Sequence, residues 1–557
     1  VSDLTDNTSL LGGGGGSFEA VASGSLSDGS TVVLNSDGTV SVVAETGYPE
    51  GAGTASAFES ATTSYTSATF DSNSNKVIIA YADYGNAGYG TAVVGTVSGT
   101  SISFGTPVVF ESADSTYITA TFDSNSNRVV IAYRDAGNAG YGTAVVGTVS
   151  GTSISFGTPV VFHTGDTRWN SITFDSTSNK VVIAYEEYLQ KGTAVVGTVS
   201  GTSISFGTPV IFQNARCVYN SITFDSNSSK VVISYRNIGN SNYGTAIVGT
   251  VSGTSISFGT PAVFLSQASA HFSSTFDSTN NKVVVAFQHS ASSDHGTAVV
   301  GTVSGTSISF GTPVVFENSA TSETSTTFDT ASNKVLISYQ NIGNAQFGTV
   351  AIGTVSGTSI SFDTPVVFES AITSFVSSTF DSNSNKTVIS YRDDGNSSYG
   401  MAIVYNLVVE TTTNLTAENY AGISDGVYAD AATATIQTAG SVDDAQSGLT
   451  PGQAYYVQGD GTLGLAPDTT RVFAGVAASA TKLLIGKEGP AVDLSSYAST
   501  SYVDTAVSNL VDTAPEALNT LNELAASLND DADFAGTVTT SLSTKLGTDS
   551  VIDGGTV

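Results

Sequence analysis

Apolar and polar residues alternate along most of the chain, and this alternation recurs with a fixed period. Within the tripeptide Thr-Phe-Asp, the dipeptide Phe-Asp occurs seven times, at intervals of 52 residues with one interval of 50. In the second copy, alternating runs cover Ile118 to Asp123, Arg128 to Tyr133, Thr143 to Ser150 and Ser153 to Phe162. Such alternation predicts half-buried strands, four in each copy. The dipeptides begin at Phe70, Phe122, Phe174, Phe224, Phe276, Phe328 and Phe380.

A four-stranded sheet with two apolar faces cannot bury both of them alone, whereas radial stacking of four to eight sheets buries both. The repeat therefore predicts a mainly β fold with a seven-bladed propeller of 52-residue blades at residues 36–409. The seventh copy lacks the Ser-Ile-Ser-Phe run, which residues 38–43 and 53–58 resemble. We expect the N-terminal strand at residues 38–43 to close the last blade. A fibrous β-solenoid or an intertwined shaft is the alternative that the period leaves open.

The regions outside the repeat predict three further segments. Residues 1–35, with glycines at 12–16, are typical of a linker or attachment segment. Residues 410–488 contain three strand-like runs and predict a small β domain. Residues 489–557 show helical spacing and predict a helical trimerisation region, because such short helices need partners. The helical signals are a stripe of Val503, Val507 and Leu510, a capping box at Thr513 to Glu516, a stripe from Leu518 to Leu528, and a stripe of Phe534, Val538 and Leu542.

The seven copies differ mainly at one end of the predicted strands. The turns after Phe-Asp and the Ser-Gly-Thr turns barely change, whereas the loops at the opposite end vary. Five residues before each phenylalanine, the varying end places side chains that would line the axis. Aromatic faces stack on the C–H surface of sugars, so these residues predict a glycan site, with capping of the central channel as the alternative. They are Tyr65, Tyr117, Trp169, Tyr219, His271, Glu323 and Phe375.

Three arginines, Arg134, Arg236 and Arg392, end the second strands of their blades, and they are further candidates for ligand binding. The order of strands resembles that of sialidase-type propellers, in which an arginine cluster would bind a carboxylate. However, the chain lacks the Asp-box of those enzymes, and no Tyr-Glu pair stands out as nucleophile and base. We therefore predict that the chain is not an enzyme.

Charge and composition narrow the range of partners. The 17 basic and 48 acidic residues give a net charge of -31, which repels nucleic acid and anionic lipid, so neither is an expected partner. Asp71-Ser72-Asn73-Ser74-Asn75 imitates the start of a calcium loop but lacks its glycine and distal glutamate. His271, His289 and His295 share one copy and could hold a metal, although loop histidines more often do not. We predict no metal and no cofactor.

Two segments carry a family resemblance. Residues 510–525 resemble a helical segment of tail-fibre and related virion proteins of tailed phages, and residues 448–463 resemble a β module of such fibres, including those of cyanophages. The resemblance implies a homotrimer, a virion location outside the cell, contacts with other tail proteins, and attachment to a host-surface glycan. The alternatives are a purely structural fibre or collar component and a secreted lectin-like adhesin.

Overall fold

The computed structural model describes residues 16–48, 50–408, 410–468, 470–486 and 533–545. The chain divides into two compact units. The ring unit is residues 45–412, and the flank unit combines residues 1–44 with residues 413–557. The described parts of both consist mainly of antiparallel strands, so the prediction of a mainly β chain is confirmed. Among the described residues, no helix is long and apolar enough to cross a lipid bilayer.

The ring unit repeats one antiparallel sheet of four strands. In the second copy, the inner strand pairs with Arg128–Asp135, which pairs with Tyr141–Ser150. The outer position is filled by Ser153–Phe156 and then by the first half of Val160–Asp175. The second half of Val160–Asp175 pairs with Lys180–Glu187 as the inner strand of the next sheet. Each long strand therefore leaves one sheet at its edge and enters the next beside the axis.

The strand bounds follow this repeat through the described residues 51–406. The long strands, two of them interrupted, are Ser56–Asp71, Val108–Asp123, Val160–Asp175, Val210–Gln213 with Cys217–Asp225, Ala262–Ala268 with Ala270–Asp277, Val314–Asp329 and Val366–Asp381. The second strands are Lys76–Asp83, Arg128–Asp135, Lys180–Glu187, Lys230–Asn237, Lys282–His289, Lys334–Asn341 and Lys386–Asp393. The third strands are Tyr89–Ser98, Tyr141–Ser150, Lys191–Ser200, Tyr243–Ser252, His295–Ser304, Phe347–Ser356 and Tyr399–Asn406. The short outer strands are Ser101–Phe104, Ser153–Phe156, Ser203–Phe206, Ser255–Phe258, Ser307–Phe310 and Ser359–Phe362.

The N-terminal part of the ring unit supplies the outer strand of the last sheet. Gly51–Ala52 and the first half of Ser56–Asp71 pair with Tyr399–Asn406. The backbone N–H of Ala68 also donates to the Ser377 hydroxyl at 3.0 Å, and the same bond recurs at five other junctions between inner strands. The prediction that residues 38–43 close the series is wrong, because Val40–Val42 pairs with Thr31–Leu34 in the flank unit.

A glycine in the outer strand allows each sheet to approach the next. A Cβ on Gly157 would lie 1.8 Å from the carbonyl oxygen of Thr202, which belongs to the following Ser-Gly-Thr turn. Gly53 makes the same approach to Thr100 between the last sheet and the first. In the sixth sheet this position is Asp363, and the seventh sheet lacks the turn that would face it. Glycine therefore occurs where a neighbouring carbonyl leaves no space for a side chain.

The core between the sheets contains a repeated polar pair. The Tyr133 hydroxyl donates to the Glu111 carboxylate at 2.9 Å, and the tyrosine has no exposed surface. Between the fourth and fifth sheets the tyrosine position is Phe287 and the glutamate position is Leu265. Both partners change together because a buried hydroxyl without an acceptor is costly. The other Tyr-Glu pairs are Tyr81 with Glu59, Tyr339 with Glu317, and Tyr391 with Glu369.

The flank unit contains one five-stranded antiparallel sheet twice, and we call the two copies module A and module B. Counted along the chain, the strands of each module lie side by side in the order 1-5-4-2-3. Those of module A are Ser17–Val21, Thr31–Leu34, Val40–Val42, Tyr420–Ser424 and Thr433–Gln437. Those of module B are Val442–Asp443, Ala454–Val457, Leu463–Gly464, Val472–Ala477 and Leu483–Ile485.

One turn of each module has the same sequence, the same hydrogen bonds and the same backbone conformation. In module A, the Thr39 N–H and hydroxyl both donate to the Asp37 carboxylate, and Gly38 has a φ of 85°. In module B, Thr462 and Asp460 form the same bonds, and the intervening glycine also has a φ of 85°. The positive φ explains why both turns use glycine at this position.

The ring unit is inserted between the third and fourth strands of module A. Glu45–Tyr48 and Glu410–Thr413, which lead into and out of the ring unit, pair with each other. In module B, residues 465–471 make the corresponding connection. Two predicted boundaries are therefore wrong. Residues 16–35 form strands rather than a linker, and the predicted β domain at 410–488 is completed by strands from before the ring unit.

A helix spans Phe534–Lys545, and Phe534, Val538 and Leu542 are all exposed along it. The predicted stripe of Val503, Val507 and Leu510, the capping box, the stripe from Leu518 to Leu528, and the phage-like segment at 510–525 lie outside the described residues. Trimerisation by this region stays a prediction.

Candidate binding site at the ring axis

A β-bulge near the start of each inner strand presents one residue toward the axis. In the first copy, the pairing with the second strand shifts register between Ser64 and Ser67, and Tyr65 lies in the bulge with a φ of 53°. All seven copies place a non-glycine residue in this left-handed conformation. Such a conformation costs about 1 to 2 kcal/mol for a residue with a side chain. The seven residues are Tyr65, Tyr117, Trp169, Tyr219, His271, Glu323 and Phe375, and we call them the axial set.

The rings of the axial set contact one another in sequence around the axis. The ring centroids of Tyr65 and Tyr117 are 5.4 Å apart, and those of Tyr117 and Trp169 are 5.2 Å apart. Trp169 and Tyr219 approach to 4.2 Å. The series continues from Tyr219 to His271 at 4.6 Å, and Tyr65 meets Phe375 at 5.1 Å. Six predicted site residues therefore form one continuous, partly exposed aromatic surface.

Glu323 fills the remaining position, between His271 and Phe375. Its carboxylate accepts a hydrogen bond from the backbone N–H of Phe375. Burial raises the pKa of this carboxyl. Burial also lowers the pKa of His271 to about 4, and the nearby positive charge of Arg236 lowers it further. The axial set thus contains a neutral histidine at pH 7 beside a carboxyl that resists ionisation.

Backbone carbonyls of the axial set are held from the next sheet. The Thr66 hydroxyl donates to the carbonyl of Phe375, and Thr324 donates in the same way to His271. The Asn220 amide donates to the carbonyl of Trp169 at 3.3 Å. These bonds connect neighbouring inner strands and hold three of the seven bulges in position.

The structure gives the three predicted arginines different partners. The Arg134 Nε lies 2.6 Å from a carboxylate oxygen of Asp166, and the Arg392 Nε lies 2.6 Å from Asp394. The Arg392 guanidinium also stacks over the Phe375 ring at 4.8 Å, so it supports the axial set directly. The Nε of Arg236 is buried without a hydrogen-bond partner. Carboxylates already engage two of the three arginines, which weakens the hypothesis of a shared carboxylate site.

Sequence reasoning missed a charged cluster beside Trp169. The Arg168 guanidinium lies 3.8 Å above the Tyr188 ring, and the Arg216 Nε lies 2.6 Å from the fully buried Glu186. Burial raises the pKa of Glu186, and its bond to Arg216 opposes that shift. The signal in the sequence was the negative charge of Glu186, at a position where three other copies carry Arg134, Arg236 and Arg392.

The described residues contain no group of three or more His, Cys, Asp or Glu side chains able to hold a metal. His271 belongs to the axial set, whereas His289 and His295 lie opposite each other in neighbouring strands. The Asp71 carboxylate accepts bonds from the N–H groups of Asn73 and Ser74, as a turn-forming aspartate does.

The sequence singled out no Tyr-Glu pair as nucleophile and base, and the Tyr-Glu pairs that the structure contains are built on buried tyrosines. Four such pairs recur, as described above, and each joins a second-strand tyrosine to an outer-strand glutamate. The tyrosines have no exposed surface, so their hydroxyls cannot reach a substrate. The repetition identifies the pairs as part of the packing between sheets.

No protein-family model matches the sequence. The chain is 54% identical over 48 residues to a probable tail fiber protein of Escherichia phage P2, a match that covers 9% of this chain and 7% of that protein. The chain therefore spans a small fraction of this curated relative.

Solved structures with similar strand arrangements belong to different classes of protein. The BP39L lectin from Burkholderia pseudomallei gives a TM-score of 0.47 at 9% identity, over 65% of this chain and 100% of that one. Saccharomyces cerevisiae Sqt1 gives a TM-score of 0.40 at 11% identity, over 70% of this chain and 99% of that one. The NanB sialidase from Streptococcus pneumoniae gives a TM-score of 0.38 at 10% identity, over 63% of this chain and 69% of that one. At these scores and identities, the likenesses assign no function to this chain.

Proposed function

We propose that the chain is a fibre protein of a tailed phage whose ring unit, a seven-bladed β-propeller, attaches the virion to a glycan on the host surface. The axial set is the observation that carries the proposal. It is a continuous aromatic surface of the kind that stacks on the apolar face of a sugar. Its members occupy backbone positions where a bulky side chain is costly, and such strain is found at functional sites.

The variation among copies supports recognition at this end of the inner strands. The axial set contains five residue types, whereas the Phe-Asp dipeptide at the other end of the same strands is invariant. A purely structural plug would need no such asymmetry. A rigid scaffold that presents differing residues at one end is typical of binding proteins.

The short match to a probable tail fiber protein supports the virion setting, together with the phage-like segments at 448–463 and 510–525. A fibre of this class would be a homotrimer joined to other tail proteins. Three rings per fibre would bind a repeating glycan multivalently, so that weak single sites give firm attachment. We propose no catalytic step, because the buried tyrosines offer no accessible nucleophile.

The test is binding of the full chain to an array of bacterial surface polysaccharides. Trp169→Ala and Tyr219→Ala remove the closest pair of rings, and we expect each to weaken binding at least about tenfold, since stacked aromatic residues dominate such sites. Val263→Ala is the control, because Val263 is exposed on an outer strand of the ring unit, away from the axial set. Parent-like binding by both axial variants would contradict the proposal. Absence of binding to every polysaccharide would favour a purely structural role.

A further inference from the structure

Each module of the flank unit has two apolar faces, and the matched strands allow the faces to be compared. In module A, one face carries Val33 opposite Tyr420. The equivalent residues of module B are Tyr456 opposite Phe473. We call this the front face of each module, and the opposite side the back face.

Module B covers the front face of module A. Val33 belongs to one buried cluster with Tyr455, Leu483 and Ile485, which lie on the back face of module B. The Thr31 hydroxyl also donates to the carbonyl of Gly461 at 2.7 Å. The back face of module A is filled by its own residues, among them Leu26 and Tyr428, which pack with Val32 and Ile436.

The front face of module B carries exposed apolar side chains, and at one side of it the Arg471 guanidinium lies 5.6 Å from the centroid of the Tyr456 ring. Val442 lies opposite Leu484, which in turn lies opposite Val476 across three adjacent strands. Their exposed fractions are 47%, 45% and 38%. The rings of Tyr456 and Phe473 meet edge to face beside this row with centroids 5.7 Å apart. Contiguous apolar surfaces of this kind mark sites of association.

We propose that the front face of module B is the surface through which copies of this chain associate, with the same face of the other two copies of the homotrimer as its occupant, so that the three faces meet at the three-fold axis. The proposal rests on the homotrimer proposed above and identifies the surface through which its chains associate. The contact between the modules shows that a front face of this fold packs against another apolar face. Both back faces are already filled, so among the described faces of the two modules the front face of module B is the one left to meet another copy.

Charge supports the same occupant. Each chain carries a net charge of -31, so two copies repel each other wherever acidic surfaces meet. The apolar residues of the front face of module B include no acidic side chain, and the charge beside them is the cationic Arg471 over Tyr456. Its residues are Val442, Ala454, Tyr456, Phe473, Val476 and Leu484.

The first measurement is the mass of the purified full chain by sedimentation equilibrium. We expect a multimer for the parent, and association about a hundredfold weaker for Leu484→Lys, because one unpaired charge is then buried at each contact. Val109→Lys is the matched control. Val109 is 42% exposed on an outer strand of the ring unit, so its charge should leave the mass unchanged.

A second measurement does not depend on a disruptive charge. The single native cysteine, Cys217, is buried, and burial raises the pKa of its thiol, so it reacts slowly with maleimide. Leu484→Cys would introduce an accessible thiol, and Val427→Cys, at a site 81% exposed, is the control. We expect the thiol at 484 to react at least about tenfold more slowly than the one at 427 in the assembled protein, and dilution to remove the difference.

The outcomes separate this surface from the proposed function. A multimer in which both introduced thiols react equally overturns the surface and leaves the fibre proposal standing. A monomeric parent overturns the surface and the proposed homotrimer together. Slow reaction at 484 that persists in a monomer shows that the chain covers its own face, and this also overturns the proposal.

Discussion

Both ends of the inner strands contain a residue in the left-handed backbone conformation, but the two ends use different residue types. At the turn after Phe-Asp, six of the seven copies place asparagine in the left-handed conformation, and Ser229 takes the seventh position. Asparagine is the non-glycine residue that adopts this conformation most readily. At the axial end the same conformation holds aromatic residues, His271 and Glu323. Asparagine therefore occurs where only a turn is needed, whereas the residues at the axis adopt the same conformation at a higher cost in free energy.

This difference separates scaffold from site within one molecule. At the turn end, each residue is explained by a local bond or by lack of space, as Asp71 and Gly157 show. At the axial end, the backbone would be satisfied by asparagine, and only the side chains themselves account for the choice. The following predictions test that separation.

The largest effect is expected at the tight contact between sheets. Gly157→Ala would place a methyl group 1.8 Å from the Thr202 carbonyl oxygen, and the two sheets would have to move apart. We expect it to lower the free energy of unfolding by about 2 to 3 kcal/mol, measured by urea denaturation.

Asp363→Ala is the control, because Asp363 is the exposed residue at the same position of the sixth sheet. Its effect should be within about 0.5 kcal/mol. Equal losses in the two variants would show that the glycine is not required by the neighbouring carbonyl.

The next effect is a pH dependence at the axis. Folding lowers the pKa of His271 from 6.5 to about 4, so the unfolded chain binds more protons between these values. The stability that His271 contributes is therefore present above pH 6.5 and is lost as the pH falls toward 4. Between pH 7.5 and pH 5 we expect the parent to lose about 2 kcal/mol more than His271→Phe, measured by denaturation at each pH.

The raised pKa of Glu323 acts in the opposite direction, since a carboxyl with a raised pKa favours the folded state at low pH. It is present in both proteins, so the difference between them isolates the histidine. A difference near zero would mean that His271 is solvated in the folded ring.

The smallest effect compares the two left-handed positions of one strand. Asn179→Trp places a bulky residue in the left-handed conformation at an exposed turn, and we expect a loss of about 1 kcal/mol in thermal or urea denaturation. Trp169→Asn removes two ring contacts but relieves the backbone, so its stability should change less while glycan binding is lost. A large loss of stability in Trp169→Asn would identify the axial set as packing rather than as a site.

The sequence alone predicted the strands, their repeat and the axial set, because each depends on local alternation and on comparison between copies. The prediction that residues 38–43 pair with the last sheet was wrong because residues 51–58 show the same alternation of apolar and polar residues and pair there instead. Alternation specifies a strand but not its partner. Pairing between Ser17–Val21 and Thr433–Gln437 could not be read from periodicity, since nothing local connects segments so far apart.

A signal for the duplicated module was nevertheless present. Asp37-Gly38-Thr39 recurs as residues 460–462, and Tyr420-Ala421-Gly422 recurs with phenylalanine in place of tyrosine at residues 473–475. The bulge and positive φ that make these glycines necessary become evident only when the strands are paired.

The insertion of the ring unit into module A also sets the order in which the chain can fold during synthesis. The first three strands of module A leave the ribosome early, but their partners Tyr420–Ser424 and Thr433–Gln437 emerge only after every sheet of the ring has been made. Domains generally fold as units as they emerge, so the ring can close while module A is still incomplete. Residues 16–44 must meanwhile stay free of other pairings. Module A can therefore be completed only after the whole ring has been translated. A truncated chain would expose unpaired strand edges to quality-control proteases and chaperones.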